Sequence, residues 1–164
     1  MKKLKKNSKI VIISILGVIG LAILFEFDYL YVPLAPPENL TDIEITLERT
    51  ACFGTCPIYS VSIDGEGNVV YEGKKFVRIE GVRTYTIPQE DVKELVAMFY
   101  GINYFSLNDR YDVPVTDNPT IITSLKTGDK KKTVSNYANS GPTRLHELEI
   151  KIDEITNSES YWKD

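Results

Sequence analysis

The stretch Tyr59-Ser60-Val61-Ser62-Ile63-Asp64-Gly65-Glu66-Gly67-Asn68-Val69-Val70-Tyr71-Glu72 decides the fold. Tyr59, Val61 and Ile63 alternate with polar residues, the period of two expected of a strand with one buried face. Asp64 through Asn68 is a glycine-rich turn and Val69-Val70-Tyr71 is the returning strand, so residues 59–72 predict a β-hairpin. Upstream, Ile43-Glu44-Ile45-Thr46-Leu47-Glu48 carries the same alternation. Downstream, residues 76–79 and 82–86 predict one or two further strands, with Gly81 at the bend.

The period then changes. From Pro88, a residue suited to a helix start, Glu90 and Asp91 complement the positive end of the helix dipole, and Val92, Leu95, Val96 and Phe99 form one apolar stripe. Gly101 marks the predicted end of that helix. Phe105 and Leu107 read as core residues, residues 108–119 as a polar loop, and residues 120–125 and 132–135 as a second hairpin around Thr127-Gly128-Asp129. A last helix over residues 142–155 places Leu145, Leu148, Ile152 and Ile155 on one side. The expected fold is therefore α+β: an antiparallel sheet of two or more hairpins with two helices on one face, preceded by an N-terminal transmembrane helix.

That last element rests on residues 10–25 (IVIISILGVIGLAILF), an uncharged run directly after Lys2, Lys3, Lys5, Lys6 and Lys9. As a helix the run rises about 24 Å against a hydrocarbon core of about 30 Å, a mismatch that snorkelling by Lys9 and local thinning can absorb. No small residues come after it at signal-cleavage spacing, and no Cys comes after it for lipid attachment. The domains read as a basic cytoplasmic tail (1–9), a membrane anchor (10–28), a proline-containing linker (29–39) and an extracytoplasmic α+β domain (40–164). Lysines before the run and acids after it orient the N-terminus to the cytoplasm, which places the C-terminal domain outside a cytoplasmic membrane, in the periplasm; secretion after signal cleavage is the alternative.

Charge supports that division. The 164-residue chain has 19 basic and 23 acidic residues, a formal net charge of −4, yet five of the basic residues precede the first acid. From Ile10 onward 14 basic residues face 23 acidic ones, which argues against nonspecific binding to nucleic-acid phosphates. The expected partners are the lipid bilayer through residues 10–28 and an envelope protein or peptide, with no nucleic acid and no cofactor.

The most distinctive block is Thr50-Ala51-Cys52-Phe53-Gly54-Thr55-Cys56-Pro57-Ile58-Tyr59, which holds both cysteines of the chain. Together with a first strand ending in Arg49-Thr50, the hairpin from Asp64 to Gly73 and Thr116-Asp117-Asn118-Pro119-Thr120, this block resembles the bacterial domain-of-unknown-function family 6438 over most of residues 41–155. The resemblance implies an envelope-associated domain and brings no established activity, so no catalytic residue is carried over.

Outside the cytoplasm, two thiols four residues apart with a glycine between them are expected to oxidise to a structural disulfide, Cys52 to Cys56, contributing about 2 kcal/mol. Two alternatives use the same residues. Dithiol exchange favours two intervening residues at a helix start, whereas here there are three, and Pro57 leads into a strand. Copper(I) binding would recruit Cys52, Cys56 and the only histidine, His146, which lies beside the last helix's apolar stripe. Elsewhere, Asp109, Asp112 and Asp117 share a loop but fit no calcium-loop spacing. Lys130-Lys131-Lys132 reads as a solvated hairpin end, and Tyr59, Tyr71, Tyr85, Tyr100, Tyr104 and Tyr111 as filling between sheet and helices. The serines lack a nucleophile elbow or a second histidine. The expected protein is a noncatalytic interaction or scaffolding domain on a membrane anchor, and the competing class is an envelope thiol-redox or copper protein.

Overall fold

Alternation along the first strands puts Ile43, Ile45, Leu47, Tyr59, Val61, Ile63, Val69 and Tyr71 on one face of a sheet, where all eight are buried. The computed structural model describes residues 35–162. Its strands are β1 (Ile43–Arg49), β2 (Ile58–Asp64), β3 (Asn68–Lys75), β4 (Gly81–Thr86), β5 (Arg110–Tyr111), β6 (Thr120–Thr127) and β7 (Lys130–Tyr137). Helix α1 (Gln89–Gly101) comes after β4, and α2 (Thr143–Ile155) after β7. The strands form one seven-stranded sheet in the order β4-β3-β2-β1-β6-β7-β5.

Both helices pack on the face just described. Val92, Leu95, Val96 and Phe99 of α1 and Leu145, Leu148 and Ile152 of α2 join the same buried cluster as the sheet residues. Each helix begins after a proline in extended conformation, Pro88 or Pro142, which lacks the N–H that a helix start would leave unpaired. The opposite face of the sheet carries Thr46, Glu48, Ser60, Ser62, Val70, Glu72 and Val82.

The β2–β3 turn explains its two glycines. Asp64 Oδ1 accepts from the N–H groups of Glu66 and Asn68, both at 2.9 Å, which closes the turn. A Cβ on Gly65 would stand 1.6 Å from the Leu40 carbonyl oxygen, and Gly67 has φ +88° with the Ile87 oxygen 2.4 Å from where its Cβ would be. Only glycine permits both approaches.

Two expectations are corrected. The sheet is mixed, because β5 pairs in parallel with β7, Arg110 opposite Ser135 and Tyr111 opposite Asn136. Residues 108–119 read as a loop because a two-residue edge strand shows no apolar period; pairing is set instead by the Ser135 N–H donating to the Asp109 carbonyl at 2.9 Å and by the Lys132–Asp109 ion pair. Residues 76–79 are not a strand, since the N–H groups of Arg78 and Ile79 donate to the Tyr161 carbonyl at 2.7 and 3.3 Å. The membrane anchor expected at residues 10–28 lies outside the described residues, and among the described residues no helix is long and apolar enough to cross a membrane.

Candidate functional site

The chain leaves β1 at Arg49 and enters β2 at Ile58, so the cysteine block is the connection between two neighbouring antiparallel strands. Cys52 and Cys56 form a disulfide with 5.7 Å between their Cα atoms. Thr50 fixes the base of the loop to β6: its N–H donates to the Thr120 carbonyl, and its Oγ1 accepts from the Thr120 N–H, both at 3.0 Å. The Phe53 N–H donates to the Asp117 carbonyl at 3.3 Å, which joins the loop to residues 112–119. Gly54 has no positive φ, and a Cβ there would meet only Cys52 Sγ at 3.8 Å, so the turn does not depend on glycine at that position.

Phe53, between the cysteines, is 88% exposed. Val113 and Val115 of the neighbouring loop are also exposed, as is Phe76, which comes directly after the β3 residue paired with Ile58. Phe76 holds φ +55°, a conformation costly for a bulky side chain. Tyr137 braces the second loop, its hydroxyl donating to the Val115 carbonyl at 2.9 Å and accepting from the Asn118 N–H at 3.4 Å. Antiparallel pairing puts all of these at the end of the sheet where β1 finishes, opposite the end where Ile43 begins it.

A second cluster lies beneath that end. Arg49 Nε donates to Asp153 Oδ2 at 2.9 Å, and its Nη2 forms an ion pair with the same oxygen. Asp153 Oδ1 accepts from the Tyr59 and Ser158 hydroxyls, both at 2.6 Å, while Trp162 Nε1 donates to the Tyr59 oxygen at 3.1 Å. Four elements of the chain thus converge on one carboxylate, joining β1 and β2 to α2 and the C-terminal turn. Burial is the main cause that pushes the Tyr59 hydroxyl far above its ordinary pKa, and the Asp153 charge adds to it. Burial alone would lower the Arg49 pKa, but the neighbouring Asp153 raises it overall.

One turn earlier on α2, Glu149 is also fully buried. Asn136 of β7 donates its Nδ2 to both carboxylate oxygens at 3.0 Å, and Asn136 Oδ1 accepts from the Gly141 N–H at 2.8 Å. Burial pushes the Glu149 carboxyl up to about 7, with the Asn136 hydrogen bonds and the Arg49 charge pulling in the other direction. Neither acid reaches solvent, so these groups hold elements together rather than face a substrate.

The structure does not bring the residues of the copper alternative, Cys52, Cys56 and His146, together as a ligand set. The two sulfurs are bonded to each other, and His146 Nδ1 lies 3.6 Å from Glu149 Oε2. Among the described residues no group of three or more His, Cys, Asp or Glu side chains is placed to hold a metal ion. The acids of the 108–119 loop are each engaged separately: Asp109 with Lys132, Asp112 with Arg110, and Asp117 with the Thr116 hydroxyl at 3.0 Å. Of the six tyrosines read as filling, Tyr59, Tyr71 and Tyr104 are fully buried and Tyr85, Tyr100 and Tyr111 pack partly buried against the core.

Arg49, Glu149 and Asp153 escaped the sequence reading. The signal was present in the helical spacing, since Glu149 lies four residues from Leu145 and from Asp153, on the face shared with Leu148 and Ile152. No curated protein matches the chain. The family model for the Domain of unknown function (DUF6438) matches residues 43–156, from the first residue of β1 to one residue past α2, and the chain belongs to that family.

Proposed function

We propose that this protein is a noncatalytic extracytoplasmic interaction domain that engages an envelope protein or peptide through the disulfide-braced end of its sheet. The observation that carries this reading is Phe53, 88% exposed at the tip of a loop closed by Cys52 and Cys56 and tied to Asp117. An aromatic ring left in water on a constrained loop is suited to binding. Its burial against a partner is favourable, and the loop has little conformational freedom left to lose. Val113, Val115 and Phe76 extend the apolar surface at the same end.

Two features support the location. A disulfide persists in oxidising compartments, and the apolar run at residues 10–25 after five lysines has the character of an export signal for the domain behind it. The test is a photo-crosslinking amino acid placed at position 53 in cells, with position 150, an exposed site on α2, as control. A discrete adduct from position 53 that is weaker in the C52S/C56S variant supports the proposal. Yields at position 53 no higher than at position 150 overturn it.

A further inference from the structure

His146 and Glu149 each lack what the other can supply. The His146 ring is 37% exposed, yet its Nδ1 is buried and has no hydrogen-bond partner among the described residues. The Glu149 carboxylate is fully buried and, among the described residues, accepts only from the Asn136 amide. The two groups sit at i and i+3 on α2, and the 3.6 Å between Nδ1 and Oε2 is just beyond hydrogen-bond reach, a gap that a small rotation of either side chain closes. A proton on Nδ1 satisfies both atoms at once.

We propose that His146 carries a proton on Nδ1 and donates it to Glu149 Oε2, forming a half-buried acid–imidazole pair through which the buried carboxylate exchanges protons with solvent. When Glu149 is ionised, its carboxylate accepts the Nδ1–H of the ring. Uptake of one proton from water neutralises the carboxyl without breaking the bridge. The groups facing Glu149 make that change consequential. Arg49 of β1 is already committed to Asp153, Asp153 itself repels the Glu149 charge, and the Tyr104 hydroxyl donates to Thr123. Asn136 of β7 is the remaining contact. The raised pKa of Glu149, about 7, puts the transition close to neutrality.

The device acts on the connection between β7 and α2. Ala138 and Asn139 both hold left-handed conformations there, with φ of 53° and 54°, and the turn is anchored by the Gly141 N–H on the same Asn136 that grips Glu149. Gly141 is closely fitted: a Cβ would lie 3.0 Å from Leu145 Cδ2 and 3.1 Å from Asn136 Oδ1, so those side chains would have to give by a few tenths of an ångström. The proton state of the pair therefore sets how firmly the first turn of α2 is held to the sheet.

A single histidine makes the test direct. With the full chain labelled with ¹⁵N-histidine, the ring spectrum at pH 8 distinguishes the two neutral tautomers. The expected result is the Nδ1–H form in the wild type and the Nε2–H form in E149Q, whose amide donates to Nδ1 instead of accepting from it. A wild-type ring in the Nε2–H form, or a ring spectrum that E149Q leaves unchanged, overturns the proposal. E149D, which withdraws the carboxyl by one methylene, repeats the measurement in a second background should E149Q fail to fold.

Discussion

The two ends of Arg49 stabilise the chain by opposite means. On its side-chain end a charge is taken into the interior and answered there by Asp153, Tyr59, Ser158 and, through Tyr59, Trp162. On its main-chain end the backbone runs out into solvent, where a covalent bond between Cys52 and Cys56 takes over from packing. The interior cluster can use electrostatics because the surroundings are dry and the geometry is fixed by a sheet and a helix. The loop has no core of its own, since Phe53 points into water and Cys52 and Cys56 are only partly covered. A crosslink there acts mainly on the unfolded chain and leaves the exposed ring available.

The contrast between interior and loop is tested most severely at Asp153. D153A leaves the Tyr59 hydroxyl without its acceptor and Arg49 without its counter-charge, with only the Tyr59 oxygen still accepting from Nε, and removing one partner of a buried ion pair costs about 3–5 kcal/mol. Urea unfolding at pH 7 should show that loss; one below about 1 kcal/mol would assign the cluster to the class of weak surface pairs.

Glu149 gives a pH-dependent effect of similar size. An unfolded glutamate loses its proton near 4.5, whereas folded Glu149 keeps it to about 7. Between those values the folded state binds the extra proton, so the contribution of Glu149 is complete below 4.5 and is lost as pH rises to about 7. The loss amounts to about 3 kcal/mol. Asp64 acts in the opposite sense: its slight burial works upward, but hydrogen bonds from Asn68, Glu66 and Gly67 hold it below its ordinary value. The informative quantity is therefore the difference between wild type and E149Q. E149Q should be the more stable above pH 7 and lose its advantage by pH 5; parallel stability curves would contradict the buried-acid account.

Periodicity made most of the architecture legible. The alternation in β1, β2 and β3 and the stripes in α1 and α2 are properties of single segments, and each segment shows its buried face without its neighbours. Pairing between distant segments is not written that way. The parallel contact of β5 with β7 depends on Asp109 meeting Ser135 and Lys132, residues that look like ordinary loop and strand-end polar positions. The buried acids were obscured for a related reason. Glu149 and Asp153 have inward helical spacing, but a carboxylate is stable there only because Asn136, Arg49, Tyr59 and Ser158 arrive from other parts of the chain. The cysteine pair was readable because its loop closes over five residues, and its expectation needed only a compartment.

On the exposed side the expected stability effect is smaller. C52S/C56S, or reduction of the wild type, should lower stability by about 2 kcal/mol, roughly 8 °C in Tm. A thermal melt unchanged by reduction would show that Thr50, Thr120 and the Phe53–Asp117 hydrogen bond hold the loop unaided.

F53A should separate function from folding most sharply, because its effect on stability is the smallest. The ring is almost wholly solvated in the free protein, so its removal exposes no cavity and breaks no side-chain contact that the core uses. Its denaturation curve should coincide with that of the wild type to within about 0.5 kcal/mol. Partner adducts from a crosslinker at the neighbouring position 55 should nonetheless fall at least tenfold, as expected when a central aromatic anchor is removed from an interface. The opposite pattern, a destabilised domain with undiminished adducts, would make Phe53 part of the structural brace and move the contact surface away from the disulfide loop.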